Sequence, residues 1–134
     1  MSAVSDETLL IHLGQIWWVN VPHTDSETKL DRRPAAIVGW SQFFKNNDEI
    51  ILVVPITSHG NGGQTRTGEI EILEPEKYKL DPGSHIRARN IYSIHPSRLT
   101  KKDGPLDTLS DDLITQTLQT ISKLFTVQGP VRAR

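Results

Sequence analysis

Ile50-Ile51-Leu52-Val53-Val54 constrains the fold more than any other part of this chain. A half-exposed strand alternates polar and apolar residues. This run does not alternate, and it is dominated by β-branched side chains, which suits a central strand covered on both faces. The strand spans Glu49–Pro55 and leads into Ile56-Thr57-Ser58. Its sheet partners follow from the same reading. Gln15–Asn20 and Ala35–Trp40 are rich in Ile, Val and Trp. Glu69-Ile70-Glu71-Ile72-Leu73 alternates, as does His85–Arg89 within the segment Ser84–Asn90, and Tyr92–His95 closes the set.

Breakers separate these segments. Pro22–Asp31 reads as a long mobile loop, Lys45–Asp48 as a turn, His59–Gln64 as a glycine-rich flexible loop and Pro75–Pro82 as a connection. Residues 1–13 read as a leader, with a helical turn expected over Asp6–Leu13. Ser110 caps a helix whose first turn carries Asp111 and Asp112, favourable at the positive end of the helix dipole. Leu113, Ile114, Thr117, Leu118, Ile121, Leu124 and Phe125 recur on one face of it. Short strands followed by one helix predict a mainly β fold, a small SH3-like antiparallel β-barrel with a C-terminal α-helix. At 134 residues the chain reads as one domain, with a core over about 13–126.

Composition narrows the function. Without cysteine there are no disulfides and no thiolate metal sites. The five histidines show no paired ligand spacing, so no metal or cofactor is expected. A formal charge of −1 argues against a broad non-specific nucleic-acid surface, so any RNA contact comes from a local basic patch. Met1–Glu7 lacks the basic region and apolar run of a secretory signal, and no apolar stretch approaches the roughly 20 residues of a membrane span. A cytoplasmic protein without membrane contact is the expectation.

Arg33 enters the second strand and Thr57 and Ser58 leave the third. If these strands pair antiparallel, a guanidinium meets hydroxyls at one end of the sheet, an arrangement that matches phosphate geometry. Hydroxyls in that position also serve to hold backbone groups. His23 and His59 fall in the loops expected to flank this end. Either titrates near neutrality and can move a proton, or is simply exposed. Glu27 is the other candidate proton acceptor. Arg87 and Arg89 are two apart and would share one strand face, directed at an anion or at solvent. Of the adjacent Trp17 and Trp18, one belongs in the core, and the other stacks on a base or packs against a partner.

Gly14-Gln15-Ile16-Trp17, Arg32-Arg33-Pro34-Ala35, Val53-Val54-Pro55-Ile56-Thr57-Ser58, Glu69-Ile70-Glu71-Ile72 and the amphipathic helix stand in an order that resembles the MazF/PemK family of toxin endoribonucleases, from about Leu13 to Phe125. The resemblance implies a compact homodimeric barrel that cuts single-stranded RNA at short sequences without a metal, and a cognate antitoxin that neutralises it. It puts the family's essential arginine and threonine on Arg33 and Thr57, and Glu27 and His23, from their place in the long loop, are the candidates for general base. RNA-binding roles fall to Ser58, His59, Arg87, Arg89 and Asn90. Some members carry Arg-x-Asp-Gln on the late strand. Here it reads Arg87-Ala88-Arg89-Asn90, and an arginine cannot replace an aspartate as a base. A catalytically inactive binding protein, like the fold-sharing gyrase poison CcdB, is therefore the second reading. A plain peptide-binding SH3-like module is a third, poorly served by so few aromatics.

Overall fold

The computed structural model describes residues 11–23, 26–41, 49–59, 64–99, 104–125 and 129–133, with backbone alone for 22–23 and 26–31. The strands are β1 (Gln15–His23), β2 (Ser26–Trp40), β3 (Ile51–Ser58), β4 (Ile70–Glu71), β5 (Ser84–Ile86), β6 (Tyr92–Ile94) and β7 (Asp107–Thr108). Among the described residues one helix follows, α1 (Asp111–Ser122), and short 3₁₀ turns cover Pro75–Tyr78, Pro96–Arg98 and Lys123–Phe125. All strand pairs are antiparallel, in the order β4-β5-β3-β2-β1-β7, with β6 also on β3. The result is mainly β, a curled antiparallel half-barrel with a C-terminal helix.

β3 organises the sheet. β2 lies along one edge of it. The other edge is shared, Ile51–Val53 pairing with β6 and Ile56–Ser58 with β5. Both faces are covered, as the unbroken apolar run requires. One face packs Val54 and Ile56 with Ile16, Ala36, Ile72, Ile86 and the helix residues Leu113, Ile114 and Ile121. The opposite face packs Ile51 and Val53 with Trp17, Val19, Ala35, Ile37, Ile94 and Leu99. Leu52 departs from the pattern and remains 37% exposed.

The helix closes the first of these cores. The Ser110 hydroxyl accepts the Leu113 N–H at 3.3 Å, the capping bond that the sequence predicts. Thr117 is buried within the apolar face because its hydroxyl donates to Leu113 O at 2.7 Å. Gly14, in the turn just before β1, has φ +85°, and a Cβ there would run into Ile114 Cδ1, so helix and sheet approach as closely as glycine permits. Leu118, Leu124 and Phe125, assigned from periodicity to the buried face, are exposed in the protomer.

Two sequence expectations fail here. Pro22–Asp31 is no loop: β1 and β2 continue as a ladder as far as His23 opposite Ser26. Beyond Arg32 no third strand flanks this pair among the described residues, so Pro22 costs the sheet no interior hydrogen bond. Ser84–Asn90 is a strand only to Ile86. Arg87 N–H still donates to Pro55 O, but Pro55 has no N–H to return, and Arg87 O instead accepts Asn90 N–H across a turn. The short strand β7 was not foreseen. The helical turn over Asp6–Leu13 (as far as Leu10), the turn at Lys45–Asp48 and the glycines of the His59–Gln64 loop lie outside the described residues.

Candidate active site

The register of β2 on β3 puts Ala35 opposite Pro55, so Arg33 and Thr57 are level two residues further on. Their side chains meet, Arg33 Nη1 donating to Thr57 Oγ1 at 3.3 Å. Thr57 in turn faces His85 across the β3–β5 ladder. His59 extends that ladder through its N–H to Gly83 O, which keeps it on the Thr57 side of the strand.

A cleft of about 350 Å³ opens at this end of the sheet, with Trp18, Arg32, Arg33, Thr57, Ser58 and Lys79 in its wall. Trp17 is the core tryptophan. Trp18 is half-buried, with the Arg32 guanidinium 4.8 Å from its ring centroid. That stack presents a flat, cationic surface of the kind that suits a nucleobase and its phosphate. Ser58 holds the wall itself, its hydroxyl donating to Pro82 O at 2.7 Å.

Beside Thr57 lies a buried polar cluster. Glu69 Oε1 accepts from Arg66 N–H at 3.0 Å and lies 3.0 Å from His59 Nε2. Glu69 Oε2 is 3.3 Å from Arg87 Nε, an ion pair whose angle makes no hydrogen bond, so both atoms are buried without one. The Glu69 side chain has no exposure, against 15% for His59 and 10% for Arg87. Burial pushes the Glu69 carboxyl up. The Arg66 N–H, His59 and Arg87 together outweigh it and hold the group below the ordinary glutamate value. The His85 ring packs on His59 at 4.6 Å between centroids. Its Nδ1 lies 2.7 Å from Gly83 O and its Nε2 3.0 Å from Thr65 Oγ1, so both nitrogens are committed.

The structure thus corrects several assignments. Arg87 does not share an open face with Arg89; it is buried against Glu69 because register sets the two opposite, as Glu71 is opposite His85. Arg89 is exposed and its stem covers Gly68, while Asn90 is half-buried in the turn. His59 is largely buried and paired rather than an open loop residue. The side chains of His23 and Glu27 lie outside the described residues. Their backbones sit on the β1–β2 ladder, four residues past Val19, the partner of Arg33, and six before Arg33 itself. At about 3.3 Å per residue this puts His23 roughly 13 Å along the ladder from Arg33, and Glu27, next to the Ser26 that faces His23 across a register shift, at much the same level.

Sequence reading missed Glu69, Thr65 and His85. Glu69 belongs to an alternating segment and so reads as half-exposed; the usable signal was its charge match to Arg87 once Glu71 is set opposite His85. The larger groove, about 790 Å³ between β4 and the helix, reaches Thr65 and Glu69 but includes neither Arg33 nor Thr57.

The family model for PemK-like, MazF-like toxins of type II toxin–antitoxin systems matches residues 12–125. Among curated proteins, no match to the chain was found. The matched span contains every described strand, helix α1 and the Arg33–Thr57 pair, and the chain belongs to the PemK-like, MazF-like toxin family.

Proposed function

We propose that this toxin is a metal-independent endoribonuclease that cuts single-stranded RNA in the cytoplasm and is held in check by a cognate antitoxin. The observation that carries the reading is the Arg33–Thr57 hydrogen bond at the mouth of the cleft. The substrate's own 2′-hydroxyl attacks the adjacent phosphorus, leaving a 2′,3′-cyclic phosphate and a free 5′-hydroxyl. The nucleophile comes with the RNA, so no metal is needed to generate one. Arg33 stabilises the charge that grows on the phosphorane oxygens, and Thr57 orients both the guanidinium and the phosphate. Trp18 and Arg32 hold a flanking nucleotide, with Ser58 on the cleft wall. A homodimer fits the exposed Trp40, Leu52 and Phe125, apolar surface that a second copy would cover.

The test is cleavage of a uracil-containing RNA oligonucleotide in EDTA. The wild type yields fragments with 5′-hydroxyl ends, and Arg33→Ala loses on the order of 10²–10³ in rate, as for removal of one oxyanion donor. Intact RNA with the wild type, together with retained RNA binding, would favour the non-catalytic reading that Arg89 suggests.

A further inference from the structure

We propose that the buried carboxylate of Glu69 positions His59 as the base that takes the proton from the attacking 2′-hydroxyl; this rests on the ribonuclease reading above. His59 lies two residues beyond Thr57 on the same side of β3, about 7 Å along the strand. Its Nε2 points at Glu69 Oε1 at 3.0 Å, and an ionised carboxylate there fixes the proton on Nε2. Nδ1 is then the basic nitrogen. Glu69 itself cannot swing, because the Arg66 N–H grips the same oxygen at 3.0 Å and the side chain is wholly enclosed. The depressed affinity of Glu69 for protons keeps it charged through the working pH range.

Neighbouring candidates are less well placed. His85 has a partner at each ring nitrogen and acts as a wall that limits rotation of the His59 ring. His23 and Glu27 both sit some 13 Å from Arg33 along the hairpin ladder. Among the described residues, the titratable and charged groups facing His59 are Glu69 ahead of β4, His85 on β5 and Arg87 behind Glu69. In the step itself the 2′-oxygen loses its proton to Nδ1 and forms the new bond to phosphorus. The bond from phosphorus to the 5′-oxygen breaks, that oxygen takes a proton from water, and the imidazolium returns its proton to solvent.

Single-turnover cleavage of the same RNA in EDTA from pH 5 to 9 tests this, with a 2′-deoxy oligonucleotide as the binding probe. His59→Ala is expected to lose about 100-fold or more, to flatten the rising limb of the pH profile, to bind the probe as the wild type does, and to recover rate with added imidazole. Glu69→Gln removes the carboxylate that holds the His59 ring, so its rate falls at least tenfold while it binds the probe as the wild type does. If the wild type cleaves and Arg33→Ala does not, while His59→Ala keeps the wild-type rate and limb, the dyad is overturned and the ribonuclease reading stands. If the wild type leaves RNA intact, both fall. Where Glu69→Gln does not fold, His59→Ala and its imidazole rescue decide alone, absence of rescue counting against the base.

Discussion

The Glu69–Arg87 pair gives a stability prediction with a size. Their charged atoms are 3.3 Å apart and both side chains are nearly or wholly enclosed. At an effective dielectric of about 20 the attraction is about 5 kcal/mol, set against the cost of dehydrating both ions. Removing one partner leaves the other charge buried and unmatched, at about 3–5 kcal/mol. The lower end applies here, because Nε and Oε2 lack a hydrogen bond and Glu69 keeps the Arg66 N–H. Arg87→Met is therefore expected to cost about 3 kcal/mol and Glu69→Leu at least as much, since it also abandons His59 and Arg66. Glu69→Leu with Arg87→Met should cost much less than their sum, with a coupling of about 2 kcal/mol. Urea unfolding at fixed protein concentration measures all four proteins, provided the slopes agree. A coupling below about 0.5 kcal/mol would show that the two charges do not depend on each other and would refute the reasoning.

Two further outcomes follow from the same region. Because the folded state holds the Glu69 carboxyl below its ordinary value of 4.5, the unfolded chain binds more protons, so this stabilisation is complete above that pH and disappears as pH falls through the folded value. Urea midpoints measured from pH 6 to pH 3 should fall more steeply for the wild type than for Glu69→Gln. Gly68→Ala should lower stability by about 2 kcal/mol or more, read by thermal unfolding, since Gly68 has φ +82° and an added Cβ would sit 2.8 Å from Arg89 Cβ. An unchanged melting temperature would mean that this turn relaxes freely.

What the sequence made legible was the part governed by period and composition. The Ile50–Val54 run announced a doubly covered central strand, and Ser110-Asp111-Asp112 announced the helix start. Arg33 and Thr57 were found because each ends an apolar segment, and one assumption of antiparallel pairing brings them together. The hairpin arm was missed because polar composition reads as loop, whereas ladder bonds between two backbones do not depend on apolar side chains. The Glu69 cluster was missed for a different reason. Its burial depends on register among three strands, and a shift of one residue in any of them would turn Glu69 or Arg87 to the other face. Pro55 was the hidden determinant of where β5 ends, since it has no N–H to return to Arg87.

β3 carries residues of both cores and is hydrogen-bonded along both edges, while the proposed RNA grip stands at its C-terminal end. A rod anchored in this way cannot melt locally; it lets go only when the entire molecule does. Its amides should be among the slowest to exchange with deuterium. On the ribonuclease reading proposed above, a grip mounted on such a strand does not loosen by itself, so restraint would come from a partner laid over the cleft from outside.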